Sequence, residues 1–382
     1  MPKQVIVQSS IEAVEIIDTP IPTPQHDQIV IKVIVSGTNP KDWKYPVWTG
    51  NPQNSGDDIA GIIHSVGKDV YEFKPGDRVG ALHEFFTPDG SFAEYAVTRD
   101  YATFHLPPHV SFEEAATVPL AALTAAIALY ADMKLPPPYY PVKSLAEGGE
   151  RIPLLIYGVT SAVGAFAAKL ARLSGLSPII GISGRAGDYA KTLVDYVVDY
   201  RNGEDELVAA VEEVLAKEGL GNKIHYVLDA ISENGSLEAT LRFLAPEGTV
   251  STVLPTKLFA RDKENFKWPS STKSFNSAIP LVFSTHKDFG YLWSRYIARM
   301  LEDGRLKGHP YEVIPGGLNG VLTGLQNLKN GKASAVKYVY RIEDTKNVPN
   351  QGVTGKLGTE EQESKDQPAE KAHPLRNFPF SS

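Results

Sequence analysis

Between residues 154 and 254 the chain alternates short apolar runs with helical ones, a pattern that few folds accommodate. Leu154-Leu155-Ile156-Tyr157 leads into Gly158-Val159-Thr160-Ser161-Ala162-Val163-Gly164, which opens a helical pattern over 165–173. Further buried strands are expected over 178–183, 196–200, 226–229 and 249–254, separated by helices over 186–193, 204–217 and 236–244. Strands alternating with helices imply a doubly wound parallel sheet.

The flanking regions differ in texture. Residues 1–120 carry strand-like runs broken by turn residues, among them 29–35, 59–66 and the turn Lys74-Pro75-Gly76-Asp77, and read as a mainly β domain. Residues 121–289 hold the alternating segment. Helices over 292–301 and 318–328 and strands over 311–314 and 336–342 cannot build a core alone, so 290–343 is expected to return to the first domain. Residues 344–382, rich in Lys, Glu, Gln, Gly and Pro without apolar periodicity, read as a disordered tail. The apolar run over 115–131 contains Pro119 and is shorter than the ~20 residues that span a bilayer, so it reads as a buried helix.

Composition excludes several kinds of chemistry. The 382 residues contain no cysteine, which removes disulfides, iron–sulfur clusters, thiolate nucleophiles and cysteine-ligated structural zinc. A formal net charge of −7 argues against nucleic acid as a partner. No apolar leader follows Met1, so a cytoplasmic location without a membrane partner is expected. The histidines show no metal-ligand spacing. His83, His105 and His109 are expected in loop or surface roles, and neither Asp57-Asp58 nor Glu113-Glu114 as an acid/base pair.

A strand ending in a small-residue turn that opens a helix presents backbone N–H groups to a dinucleotide pyrophosphate. With Gly164 as the third glycine of G-x-G-x-x-G, Val159 and Ser161 stand where the first two belong, so the match is weak and a plain strand-to-helix turn is the competing reading. Ser161, Ala162 and Gly164 are small, however, so the backbone stays open to a ligand. Thr160, Ser161, Ala162 and Val163 are the expected contacts. The second strand ends Ile182-Ser183-Gly184-Arg185 with no acid before Asp188, whereas NAD-specific sites place a carboxylate there for the ribose 2′-hydroxyl. Ser183 and Arg185, with Gly184 between them, can donate to a 2′-phosphate, which favours NADP(H). The alternative for Arg185 is a solvated loop arginine. Tyr200 is expected to cover the adenosine phosphate or to pack as an aromatic, and Leu254 to contact the cofactor.

Residues 35–42, Gly56-Asp57-Asp58-Ile59-Ala60-Gly61, 74–79, 90–95, Leu123-Thr124-Ala125 and 303–306 resemble, in order, the markers of the medium-chain dehydrogenase/reductase superfamily. The resemblance implies an α/β fold: a GroES-like, mainly β catalytic domain plus an inserted Rossmann domain with a doubly wound parallel sheet. The active site would lie between them. In the zinc branch a cysteine stands at the position of Asn39 and a His-Glu pair at that of Asp57-Asp58, so the ligands of a catalytic zinc are missing. The pattern without zinc ligands resembles the zinc-free quinone oxidoreductases. Asn39-Pro40-Lys41-Asp42-Trp43-Lys44, Asp199-Tyr200-Arg201, the substituted turn glycines and the Pro-rich insert at 136–141 make it more similar still to the fungal trans-acting enoyl reductases that serve polyketide synthases.

That resemblance implies a zinc-independent, NADPH-dependent reduction of an activated C=C bond. The expected substrate is an enoyl thioester, either a small molecule or carrier-bound, with a polyketide synthase as partner and a monomeric or homodimeric state. Hydride addition to such a bond produces an enolate, which needs hydrogen-bond donors and a proton source rather than a metal. Lys44 is the candidate to stabilise charge beside the nicotinamide and Tyr45 the candidate general acid. Thr124, in a Leu-Thr-Ala helix start, is expected to hold the nicotinamide ring. The competing readings are a quinone, enone or aldehyde reductase and a non-catalytic NADPH-binding scaffold. The segment 259–275 is expected as a long connection carrying pocket or interface elements.

Overall fold

The computed structural model of the chain describes residues 1–143 and 147–346. An antiparallel hairpin, β1 (Lys3–Val7) and β2 (Val14–Asp18), comes first. β3 (Gln28–Gly37), β4 (Asp58–Val66), β5 (Arg78–His83) and β6 (Tyr95–His105) pair antiparallel in turn, and β6 pairs back onto β3, so these strands close a barrel. Ile29, Ile31 and Val33 fill one core, while Val30 between them is fully buried as well and Ile34 packs against a second core. Burial on both faces, broken only by exposed Lys32, explains why β3 reads as an apolar run rather than an alternation. Helix α1 (Pro40–Thr49) follows β3, and α2 (Phe112–Ala115) and α3 (Pro119–Ala126) follow β6.

The alternating segment forms β7 (Leu154–Tyr157), α4 (Ala162–Leu173), β8 (Ile179–Ser183), α5 (Gly187–Leu193), β9 (Tyr196–Asp199), α6 (Glu204–Lys217), β10 (Ile224–Asp229), α7 (Ser236–Phe243), β11 (Leu244–Thr252), α8 (Thr256–Phe259) and β12 (Lys273–Asn276). The strands are all parallel in the order β12-β11-β10-β7-β8-β9. The order reverses between β7 and β10, and ligands of doubly wound sheets bind above the carboxyl ends at such a switch point. After α9 (Lys287–Glu302), β13 (Tyr311–Val313) and β14 (Lys337–Arg341) flank α10 (Val321–Lys329); β14 pairs antiparallel with β3 and extends the first sheet. The fold class is therefore the expected α/β: a barrel-based sheet beside a doubly wound parallel one.

The helical run Phe112–Asp132 is long and apolar enough to cross a membrane, but 83% of its most apolar window is buried inside the fold. Ala121, Ala122 and Ala125 of this run share a core with Ala165, Ala167 and Ala168 of α4, where small side chains let the two helices approach closely.

Three expectations need correction. The segment 259–275 is not only a connection, because its end enters β12; Lys273 and Ser274 are exposed there, and an edge strand with polar side chains hides its periodicity. Thr124 is not at a helix start, since Pro119 begins α3 and leaves Thr124 well inside it. Residues 344–346 are tied to the chain: Thr345 Oγ1 accepts from Leu318 N–H (3.0 Å) and Lys346 N–H donates to Asn319 Oδ1 (3.0 Å). The rest of the expected tail, 347–382, lies outside the described residues.

Candidate active site

The site begins with the local chemistry of α1. Pro40 occupies its first turn, where a missing N–H costs nothing, and the N–H of Asn39 donates to the Asp42 carboxylate at 2.8 Å. Pro46 has no N–H for the Asp42 carbonyl, and Ser55 Oγ donates to that carbonyl instead at 2.7 Å, tying the loop before β4 to the helix. Helical spacing then sets Lys41, Lys44, Tyr45 and Trp48 on one face. All four line a cavity of about 250 Å³. Thr124 lines it from α3, and Ile231, Glu233 and Leu254 line it from segments after β10 and β11, the carboxyl ends of the parallel sheet.

A second cleft of about 410 Å³ shares Asn39, Pro40, Ser161, Ala162, Ile231 and Glu233 with the first, so the two spaces meet at the 158–164 turn. Thr160, Ser183, Gly184, Arg185 and Tyr200 line this second cleft, while Val163 lines the first. Ser161 caps α4: its Oγ accepts from Gly164 N–H at 3.1 Å. The cap leaves the N–H groups of Ala162 and Val163 at the positive end of the helix without intrahelical partners, as an anion requires. A Cβ at Gly164 would lie 2.3 Å from the Gly158 carbonyl oxygen, and Gly158 itself sits at φ +73°, so both positions demand glycine. Thr160 and Ser183 hydroxyls are hydrogen-bonded at 3.1 Å. The Tyr200 ring packs onto Gly184, 2.8 Å from where a Cβ would stand. Arg185 Nη2 donates to the Gly331 carbonyl at 2.6 Å, which holds the guanidinium at the rim. The Asp199 carboxylate, opposite Ser183 in the sheet, is paired with Arg201 at 2.6 Å. A nicotinamide dinucleotide fits this donor set.

In the first cavity Lys44 Nζ lies 2.7 Å from Glu233 Oε1, with the lysine side chain only 7% exposed. An ammonium has three N–H donors, so one ion pair leaves two. Burial raises the Tyr45 phenol above its ordinary pKa, so it keeps its proton, and the ring packs on Phe86 at 4.5 Å. Thr124 Oγ1 donates to Leu120 O at 2.7 Å, which leaves the hydroxyl oxygen free to accept from a ligand amide.

The positions that hold metal ligands in the zinc branch are engaged with two ammonium groups. Lys337 Nζ is 2.5 Å from Asp58 Oδ2 and 3.0 Å from Asn39 Oδ1, while Asn39 Nδ2 donates to the same carboxylate at 2.6 Å. Lys41 Nζ donates to the Ser55 carbonyl at 2.5 Å and pairs with Asp57 and with Asp42, at 3.2 Å. Burial pushes the Asp42 carboxyl up to about 7 against the pull of Lys41. Asp57 and Asp58 point to different partners, as alternate residues entering a strand must. His83 contradicts the expected surface role: it is 1% exposed, with Nδ1 2.9 Å from Asp57 Oδ1 and Nε2 2.9 Å from Pro88 O.

All of the expected site residues thus line one of two connected spaces. Sequence reasoning missed Glu233, His309 and residues 333–337, and named Asn39 only as the residue at a zinc-ligand position; all of them also line these spaces. Lys44 and Glu233 are 189 residues apart, and no local pattern marks such a pair.

Residues 25–108 match the alcohol dehydrogenase GroES-like domain and residues 162–263 the zinc-binding dehydrogenase domain. Trans-enoyl reductase fsr4 of Gibberella fujikuroi is 40% identical over 315 residues, covering 80% of this chain and 89% of that protein. Trans-enoyl reductase resD of Aspergillus sclerotiorum is 32% identical over 356 residues, covering 85% and 96%. Among solved structures, the CurK enoyl reductase superposes with a TM-score of 0.72 at 21% identity, covering 88% of this chain and 98% of that one. A quinone oxidoreductase of Pseudomonas syringae pv. Tomato DC3000 gives 0.71 at 21% identity, covering 89% and 100%. The parallel sheet with its capped turn, the barrel that supplies Lys44 and these matches lead to one assignment: the chain belongs to the trans-enoyl reductase family of the medium-chain dehydrogenase/reductase superfamily.

Proposed function

We propose that the protein is an NADPH-dependent enoyl reductase that works without zinc on the C=C bond of an α,β-unsaturated thioester, delivered on the carrier of a polyketide synthase. The observation that carries this reading is the junction of the two spaces: an ammonium, a phenol and a threonine hydroxyl gather in a largely apolar cavity that meets a second cleft at the 158–164 turn. A nicotinamide cofactor held by these residues would supply hydride to the β-carbon. The remaining work belongs to the chain. Ala162 and Val163 N–H groups hold the diphosphate, and Ser183 and Arg185 hold the 2′-phosphate. Thr124 orients the carboxamide. The Lys44 ammonium, aimed by Glu233, stabilises the negative charge that develops on the thioester oxygen. Tyr45, kept protonated by burial, donates to the α-carbon. Trp48, Phe86 and Leu254 exclude water and seat the acyl chain.

A comparison of NADPH consumption with a crotonyl or 2-methyl-enoyl thioester, a soluble quinone and a medium-chain aldehyde tests the assignment. Turnover of the thioester is expected to dominate, and turnover of the quinone alone would sink it. Arg185→Ala is expected to raise the Kd for NADPH by about 10-fold or more while leaving that for NADH unchanged, because it removes one charge-assisted bond to the 2′-phosphate. Fluorescence titration of both nucleotides checks this, and an equal loss for both would place Arg185 elsewhere.

A further inference from the structure

We infer that His309 is a binding residue for the nicotinamide dinucleotide, its imidazole hydrogen-bonding the diphosphate–ribose portion in the second cleft. The inference rests on the reading that the second cleft takes NADP(H). His309 lines that cleft together with Asn39, Lys337, Ser161 and Ser183. It is 2% exposed, its Nδ1 has no hydrogen-bond partner, and among the described residues nothing accepts from or donates to either ring nitrogen.

The backbone around it is nevertheless fixed. His309 N–H donates to Thr117 Oγ1 at 2.9 Å, Gly308 N–H to Glu114 Oε1 at 2.8 Å, and Lys337 N–H to the Pro310 carbonyl at 2.8 Å. The ring is therefore held in place without being satisfied. A buried polar nitrogen left unpaired costs folding stability, so folding alone would favour an apolar side chain here. A partner outside the protein accounts for the histidine.

The surroundings identify that partner's charge. Lys169 Nζ, from α4, donates to the Lys307 and Gly308 carbonyls at 2.9 and 2.8 Å and, among the described residues, forms no ion pair, although the Glu114 carboxylate acts on it at longer range. Lys337 approaches from β14, the Tyr189 ring of α5 stands edge-on at 5.7 Å, and Glu114 of α2 faces the Gly308 amide. Burial and the two ammonium groups depress the imidazole to about 3, so the ring is neutral and keeps one N–H to donate. Lys337 is already paired with Asp58, so the Lys169 ammonium is the charge left to a ligand, and a neutral donor beside it suits a diphosphate or its ribose hydroxyls.

The test uses the full chain and two variants, His309→Leu and His309→Gln. Dissociation constants for NADPH and NADH are measured by fluorescence titration, and thermal midpoints without cofactor. His309→Leu is expected to weaken both nucleotides about tenfold, since both share the diphosphate and ribose, while its cofactor-free midpoint equals or exceeds that of the parent. His309→Gln, which restores a donor, is expected to recover part of the affinity. Unchanged affinity in His309→Leu would overturn the inference and leave the cleft assignment standing. Loss confined to NADPH would overturn the diphosphate–ribose contact, and a lowered midpoint with parallel loss of binding would make the role structural. If the parent protein binds neither nucleotide, the cleft assignment fails and this inference with it.

Discussion

Replacing Lys44 with methionine is expected to lower kcat for an enoyl thioester by about 10²–10³-fold while KM changes little. The asymmetry follows from when the charge is needed. The substrate enters with a neutral thioester oxygen, and negative charge gathers there only as hydride reaches the β-carbon, so a buried ammonium acts on the transition state more than on the ground state. Lys44 is 7% exposed on its side chain and 2.7 Å from Glu233, and water screens it weakly. Steady-state NADPH oxidation measures the effect, with Lys44→Arg retaining the charge and expected to lose less. Equal activity in Lys44→Met and the parent would remove Lys44 from the reaction. Glu233, whose side chain is 31% exposed, should contribute little to stability, because partly solvated pairs contribute at most about 1 kcal/mol. Its removal is expected to show mainly in kcat.

Lys337→Met should have the largest effect on folding, about 3–5 kcal/mol, seen as a fall in the thermal midpoint on the order of 10 °C. Asp58 is fully buried and accepts from Lys337, from the Asn39 amide and from Leu120 N–H at 2.8 Å. Those donors come from β14, the start of α1 and the start of α3. Removing the ammonium leaves a buried carboxylate with neutral donors only. Because Leu120 begins the helix that carries Thr124, cofactor binding is expected to weaken as well. Thermal unfolding with and without NADPH checks both effects, and a shift below about 1 kcal/mol would show the carboxylate to be neutral or solvated.

Much of this architecture was legible in the sequence because its signals are local. The 158–164 turn announces itself by a strand before it, small residues within it and a helix after it. The spacing of Lys41, Lys44, Tyr45 and Trp48 marks one face of a helix. Other features depend on residues that meet only after folding. Asp58 and Lys337 are 279 positions apart, and His83 reads as a loop histidine until β5 carries it beside Asp57. His309 sits in a Gly-His-Pro stretch with no periodicity, and its placement depends on β14 returning to β3. The polar edge strand β12 was hidden for the opposite reason, since its solvent-facing residues resemble a loop.

The absence of cysteine takes on a positional meaning in the folded chain. Asn39 and Asp58 share an ammonium where the zinc branch holds a metal, so the account places all charge stabilisation on side chains. The most direct test is isotope transfer: the enzyme, with a chelator present, turns over a crotonyl thioester using NADPH deuterated at the transferable nicotinamide position, and the product is analysed by mass spectrometry and NMR. The account predicts a saturated thioester with one deuterium at the β-carbon and a solvent-derived proton at the α-carbon. Deuterium on the former carbonyl carbon, in an alcohol or aldehyde product, or loss of turnover on chelation, would contradict it.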